Sequence, residues 1–340
     1  MFKQKIKILI ILAIFIVFFA ISAIFYQKIN VLAYKFMLNN KIVSSHNNLL
    51  VHFISVGQGD AIAINFPSGN TMLIDCGPTY SNVDYAEYIK NNVINNSTSK
   101  EIEYLVLTHA DADHIGGALK LLKEFDVEKI YLPNLDKNSD TYLKLNEEVK
   151  AKGNYEILSG KLNIEEKDVK ISTCQLQQVD EPNDACPVIK IEYLNKSFLF
   201  AADVSADAEK LLIEEYKNEL NSDVLKLAHH GSKDSTCVEF LDEVTPKYGV
   251  ISVGKNGYGH PNEETLERLE ARQIETLRTD KNGNVLFVVG NNYNLAYTTG
   301  EYNVTNLTFD YRIFVLCVDL GLTIVAVIVV VKNLKQKSTK

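Results

Sequence analysis

Six consecutive residues, His109-Ala110-Asp111-Ala112-Asp113-His114, hold four side chains able to ligate a metal ion. An apolar run, Leu105-Val106-Leu107, precedes them, and Gly116-Gly117 with an amphipathic run follow. The stretch therefore reads as a buried strand that ends in a loop and turns into a helix. While the backbone stays extended, His109, Asp111 and Asp113 face one way, and the turn into the helix swings His114 beside them. Imidazole with carboxylate suits zinc, manganese or iron rather than calcium, and the carboxylates shift the preference towards manganese. The competing reading, a polar helix N-cap with incidental histidines, would strand four polar groups at a sheet edge. A second set stands in "AHHGS" at 228–232, where the strand pattern of 223–228 ends. Successive side chains at a strand end point apart, so His229 and His230 are not expected to share an ion.

These residues need a frame. The chain has 340 residues, 46% hydrophobic and 23% charged, enough for a substantial core. Short apolar or alternating runs at Leu49–Val56, Ala61–Phe66 and Thr71–Ile74, separated by "GQGD" and "PSGN", predict an antiparallel meander. Helical patterns at 83–94, 116–125 and 139–152 are interleaved with strand patterns at 103–107, 129–132, 187–194, 197–202, 223–228 and 248–253. This mixing predicts a layered α/β domain. The cysteines at 76, 174, 186, 237 and 317 form no CxxC pair and no framework spacing, so neither a zinc ribbon nor a disulfide scaffold is signalled.

Both ends are strongly apolar. Residues 8–26 and 313–331 are each long enough to cross a bilayer core of roughly 30 Å as a helix. The first is expected to be an anchor; Lys3, Lys5 and Lys7 followed by Ala20-Ile21-Ser22 also fit a cleavable signal peptide. Lys332, Lys335, Lys337 and Lys340 follow the second span, against Arg312 before it, which places the C-terminus in the cytoplasm and the middle of the chain outside the cell membrane. The expected organisation is a cytoplasmic N-terminus (1–7), an anchor (8–26), a stalk (27–48), a catalytic domain (49–290), a connector (291–312), a second span (313–331) and a basic tail (332–340). Asp319 within the second span is either a pairing site or a protonated side chain near the interface.

The motifs "VHFISVGQGDAIAI", "TMLIDCG", "LVLTHADADHIGG", "FLFAADVS", "LKLAHHGSKDS", "VISVGKNGYGHP" and "LRTDKNGNVLF" occur here in order. In this order and spacing they resemble the metallo-β-lactamase fold hydrolases, within them the C-terminal hydrolase domain of competence protein ComEC and its stand-alone relatives. The resemblance implies a metallo-β-lactamase-like αββα sandwich, flanked here by two transmembrane helices, and two divalent ions, zinc or manganese. It assigns His109 and Asp111 to one ion, Asp113 and His114 to the other, Asp203 as the bridging carboxylate and one histidine of "AHHGS" as a further ligand. His230 is the one expected on the metal, although the sequence does not order His229 and His230. His229, Ser232, Lys233 and His260 become substrate contacts, with Asp113, His229 and His260 closest to the chemistry. Asp60 and Asp75 orient the histidines through their remaining ring nitrogens. The nucleophile it implies is a hydroxide bridging the ions. Two departures stand out: Ala202 precedes the bridging aspartate where relatives commonly have glycine, and Cys186 occupies a position where they often have serine.

The implied activity is cleavage of a phosphodiester, single-stranded DNA or a small nucleotide. The chain carries 35 basic against 43 acidic side chains, which disfavours long duplex DNA. A local patch of Lys226, Lys233, Lys255 and Arg278 is the expected guide for a strand. A cell-envelope phosphate ester such as a phosphocholine ester, an amide or thioester, or a metal-binding surface module without hydrolysis remain alternatives, although the complete ligand set favours an enzyme. ComEC adds a multi-helix channel, and with two candidate spans this chain is not expected to form one. Beyond substrate and bilayer, no protein partner is indicated.

Overall fold

The computed structural model describes residues 2–81, 84–94, 101–133, 139–177, 179, 181–305 and 328; over much of 2–26 this is the backbone alone. The second expected span and the basic tail lie outside the described residues, apart from Ile328. Along the chain come α1 (Phe2–Asn39), β1 (Ile42–Ser44), β2 (Leu49–Phe53), β3 (Ala61–Asn65), β4 (Thr71–Cys76), α2 (Tyr85–Tyr88), β5 (Glu101–Val106), α3 (Ala112–Ile115), α4 (Ala118–Glu124), β6 (Asp126–Leu132), α5 (Asp140–Lys152), β7 (Tyr155–Ile157) and β8 (Lys170–Cys174). They continue with β9 (Val188–Tyr193), β10 (Lys196–Phe200), α6 (Ala206–Tyr216), β11 (Val224–Lys226), α7 (Val238–Val244), β12 (Tyr248–Ile251), α8 (Glu263–Ala271), β13 (Glu275–Arg278), α9 (Thr279–Asn282), β14 (Val285–Gly290), β15 (Asn294–Thr299) and β16 (Asn303–Thr305).

Lys41–Asn306 form one compact unit, and α1 belongs to another. Among the described residues no helix is long and apolar enough to cross a membrane. Within the compact unit, an eight-stranded sheet runs β15-β14-β2-β3-β4-β5-β6-β7 and a six-stranded sheet runs β13-β12-β11-β10-β9-β8. The expected meander is present as β2-β3-β4, antiparallel throughout. Side chains of alternate parity meet between the sheets: Leu49, Val51 and Phe53 from β2, Phe198 and Phe200 from β10, and Phe287 from β14 share one buried cluster. Phe53 lies 6.0 Å from Phe200, ring to ring, and Phe198 lies 5.8 Å from Phe287. The opposite parity of the six-stranded sheet, Leu199, Leu225 and Ile251, packs with Leu212, Phe240, Leu241 and Leu269 of α6, α7 and α8. On the outer face of the larger sheet, α4 packs against β4 and β6. Two sheets face to face with helices outside give the expected αββα layering.

The compact unit continues past residues 49 and 290. Residues 27–39 of the stalk are helical, and β1 pairs in parallel with β16. Within the connector, β15 extends the larger sheet beside β14, because the turn after Gly290 returns an alternating strand whose Tyr297 ring packs 5.5 Å from Phe287.

The outer face of β2 carries a polar knot. His52 is fully buried; its Nδ1 lies 3.0 Å from the Tyr88 hydroxyl and 3.1 Å from that of Tyr302, and its Nε2 lies 3.1 Å from Asn65 Oδ1. Burial pulls this imidazole from 6.5 down to about 4, against the Asn65 hydrogen bond that favours the charged form. The folded protein thus holds His52 neutral while the unfolded chain protonates it, so stability is complete above pH 6.5 and is lost as pH falls towards 4. The contribution is about 3 kcal/mol. Urea unfolding across this range should show the decline in the native chain and a smaller one in His52→Gln; equal declines would remove His52 as its source.

Candidate metal centre

Both sheets deliver strand ends to one place. Strands β4, β5 and β6 run parallel, as do β10, β11 and β12, so the loops beyond their C-terminal ends cluster where α/β sheets hold ligands. Asp75 stands at the end of β4, His109–His114 follow β5, Asp203 follows β10, His229 and His230 follow β11, and His260 follows β12. Glycine permits the approach at two points. A Cβ on Gly59, at φ +134°, would lie 2.1 Å from the Asp113 carbonyl oxygen, and one on Gly117 would lie 2.3 Å from that of Cys76.

One oxygen organises the cluster. Asp203 Oδ2 lies 3.3 Å from His114 Nε2, 3.6 Å from His230 Nε2, 3.8 Å from His109 Nε2 and 3.9 Å from His229 Nε2. Asp113 Oδ2 lies 3.2 Å from His230 Nε2, and Asp111 Oδ2 lies 3.8 Å from His109 Nε2. Ligand atoms of His109, His114 and Asp203 lie within reach of a single ion, as do those of Asp113, His114 and His230. Asp60, Asp203 and His230 form a further such group.

The opposite ring nitrogens are held from behind. Asp75 Oδ2 accepts from Thr108 Oγ1 at 2.7 Å and from His114 Nδ1 at 2.7 Å, while Oδ1 accepts from the Thr108 amide at 2.8 Å. Because the Thr108 hydroxyl proton goes to Asp75, its oxygen accepts from His109 Nδ1 at 3.0 Å. His230 Nδ1 donates to the Ser252 carbonyl at 2.9 Å. Each Nε2 is thereby turned inward with its lone pair available, the arrangement in which imidazole binds a metal. The Nε2 atoms of His109, His114 and His230 and Oδ1 of Asp203 are buried without a hydrogen-bond partner, which fits divalent ions at this point.

Electrostatics agree. Burial and the neighbouring His114 hold His109 well below the ordinary imidazole range, so it is neutral. For His114, burial favours the neutral form, but the Asp203 and Asp75 carboxylates outweigh it and raise its pKa well above 6.5. His230 is likewise raised, burial being overcome by Asp203 and Asp113. Burial of Asp113 is offset by His230 and His114, which bring it down to about 2. Without a cation the carboxylates bind protons through the histidines; a bound cation takes the place of those protons. Burial and the nearby Asp203 push the Cys186 thiol well above its usual range, so Cys186 contributes no thiolate.

The cluster opens into a cavity of about 610 Å³ whose lining includes Asp111, Asp113, Asp203, His229, His230 and His260. Ser232 and Lys233 do not line it: Ser232 is buried, with Oγ accepting from the Asp234 amide at 3.2 Å, and Lys233 is exposed elsewhere. The expected basic patch is not a surface either. Lys226 has the inward parity of Val224, so its ammonium is fully buried and pairs with Asp60, and Arg278 pairs with Asp280 at 2.6 Å. Only Lys255 of that patch reaches the cavity. Sequence reading also missed Glu209, whose buried carboxylate accepts from the amides of Thr236 at 2.6 Å and Cys237 at 2.7 Å and pins the segment after "HHGS". Nothing in the spacing of Glu209 marks it apart from other helix-face acids.

A family model described as the metallo-beta-lactamase superfamily matches residues 54–255. The chain belongs to this superfamily. Among its relatives, ComE operon protein 3 of Bacillus subtilis (strain 168) is 30% identical over 275 residues, covering 76% of this chain and 35% of the relative. Recombination protein 2 of Haemophilus influenzae is 28% identical over 245 residues, covering 69% and 28%. This chain thus spans about a third of the length of these relatives, which agree with the ComEC-like resemblance of the motifs. The solved metallo-beta-lactamase fold protein YhfI from Bacillus subtilis aligns with a TM-score of 0.48 at 13% identity, over 71% of this chain and 99% of its own. Membership of this superfamily implies divalent-metal binding, and the His/Asp groups described above are the residues that could hold the ions.

Asp75 orients two of its histidines at once. Asn at this position tolerates the left-handed backbone, φ 57°, but turns an amide N–H₂ towards a donor and disfavours the metal-binding tautomer. Asp75→Asn should therefore weaken metal affinity by roughly 10 to 100-fold in chelator competition. Affinity unchanged within about two-fold would show that the histidines are oriented without it.

Proposed function

We propose that the protein is a membrane-tethered metallo-hydrolase that cleaves a phosphodiester, a DNA strand or a nucleotide, outside the cytoplasmic membrane. The observation that carries this reading is the convergence of four imidazole Nε2 atoms on one buried carboxylate oxygen at the floor of an open cavity. His109, His114, Asp203, Asp113, Asp111 and His230 would hold two divalent ions, zinc or manganese. Such ions lower the pKa of a bound water and neutralise phosphoryl oxygens.

The residues of the chain supply the rest. Asp203 and Asp113 balance the charge, and Asp75 and Ser252 keep the imidazoles in register. His229, with its side chain 40% exposed, stands at the cavity wall and is the candidate contact for charge developing on the phosphoryl group. Its ring lies 5.4 Å from that of His260, and burial with the neighbouring His229 lowers the pKa of His260. A neutral His260 contacts an oxygen as an N–H donor. Tethering is supported by the length and apolarity of the run at residues 8–26 in the sequence, and orientation by the lysines after residue 331.

Purified full-length protein loaded with manganese or zinc should hydrolyse bis-p-nitrophenyl phosphate and single-stranded DNA; inactivity towards every phosphodiester in metal-loaded protein would refute the proposal. His230→Ala should lower both metal content and turnover. His229→Ala should retain the metal and lose on the order of 10² to 10³-fold in kcat. Metal loss at 229 with retention at 230 would exchange their roles. For topology, a cysteine introduced at Asn96 should react with an impermeant reagent on intact cells, whereas labelling confined to lysed cells would invert the orientation.

A further inference from the structure

Tyr80 and Tyr258 expose 93% and 78% of their surface, and among the described residues of this unit no other aromatic side chain is exposed to that degree. Elsewhere the domain hides its tyrosines, as at Tyr85, Tyr88, Tyr131 and Tyr302. The two exceptions both line the cavity over the metal cluster, together with Asp113, Asp203 and His230. They come from different sheets: Tyr80 follows β4, and Tyr258 follows β12. A solvated ring at the mouth of a site has no packing role to explain it.

The loop that carries Tyr258 is tied down. Asn256 accepts from the Tyr258 amide at 3.0 Å and from the His260 amide at 3.1 Å, and its own amide donates to the carbonyls of Gly254 at 2.9 Å and His260 at 2.8 Å. The Tyr258 and His260 rings are close to parallel, 26° between planes with centroids 5.9 Å apart. The backbone that presents the ring is thus ordered before a flat ligand settles on it.

Taking the phosphodiesterase reading as its premise, we infer that Tyr80 and Tyr258 are the specificity-determining residues of the site, stacking platforms that hold a nucleobase on either side of the scissile phosphate. Aromatic rings beside a phosphate-handling centre accept any base, because every base has a π-face. Rings can also cage a quaternary ammonium, but with Asp111, Asp113 and Asp203 of the same lining engaged by the divalent ions of the proposed function, the charge left free at the cavity is Lys255, which repels an ammonium and attracts phosphate. The occupant that matches both rings and lysine is a nucleobase-bearing phosphodiester. No basic stripe is required for this, which reconciles a nucleotide substrate with an acidic chain.

The test uses the full-length protein with Tyr80→Ala, Tyr258→Ala and the corresponding Phe variants, two substrates, and metal content measured on each preparation. The substrates are a thymidine dinucleotide, which offers two bases, and glycerophosphocholine, which offers none. Each Ala variant should keep its metal and raise KM for the dinucleotide by roughly 10-fold or more, while Phe restores it to within a few-fold. Glycerophosphocholine should be turned over less efficiently than the dinucleotide. The inference is overturned if dinucleotide KM is unchanged in both Ala variants, or if glycerophosphocholine is the better substrate and is the one lost with the rings. If the native protein turns over neither compound, the phosphodiesterase reading falls, and calorimetric binding of the dinucleotide then decides the platforms separately: roughly 10-fold weaker binding by the Ala variants supports them, and equal binding overturns them.

Discussion

A carboxylate buried among four imidazoles is the constraint to which the rest of the domain answers. Asp203 is 3% exposed, and its Oδ1 has no hydrogen-bond partner. An ion pair held that deep costs several kcal/mol of desolvation per ion, which mutual attraction offsets only when the geometry is good. Here the geometry is set twice over. The inward Nε2 atoms surround the carboxylate, and a second layer of Asp75, Thr108 and Ser252 fixes the rings from behind. A metal ion relieves the first layer without disturbing the second, which is why the cluster reads as a metal site and not as a structural salt-bridge network.

The backbone carries strain at the same place. Asp75, Ala202, His229 and His230 all have positive φ, 57°, 46°, 46° and 53°. Left-handed conformation costs about 1–2 kcal/mol for a residue with a Cβ. The packing of Phe53, Phe198, Phe200 and Phe287 between the sheets holds the strands rigid enough to sustain it. Ala202 shows the point locally. Glycine would meet this φ without penalty, whereas Ala202 holds it at 46° with a Cβ present. Adjacent left-handed residues also explain how His229 and His230, with rings 6.2 Å apart, both bring Nε2 within 4 Å of Asp203 Oδ2 from one tight turn, where simple strand alternation would point them apart.

The layered fold, the meander and the ligand cluster were legible because they rest on periodicity and on side-chain types that have few other uses at a sheet edge. Asp75 was expected beside the histidines, and its carboxylate accepts from His114 Nδ1 and Thr108 Oγ1. The fate of Lys226 was not: a lysine after two apolar strand residues looks like a solvated strand end until inward parity and a buried Asp60 are both known. Ser232 and Lys233 read as substrate contacts beside "HHGS"; in the structure neither is among the residues lining the cavity, Ser232 being buried and Lys233 exposed. Tyr80 and Tyr258 sit in loops rich in glycine and polar residues, where an exposed ring and a surface ring are indistinguishable without the opposing sheet. The segment holding β15 read as β-prone but not as part of the larger sheet, because short edge strands have weak patterns.

The account stands on the inward Nε2 atoms being metal ligands, and X-ray absorption at the metal edge of the loaded full-length protein tests that most directly. The structure predicts a first shell of nitrogen and oxygen at about 2.0–2.2 Å with the outer-shell scattering of several imidazoles, and no sulfur. A sulfur shell near 2.3 Å, or a shell of water oxygens without imidazole, would contradict it.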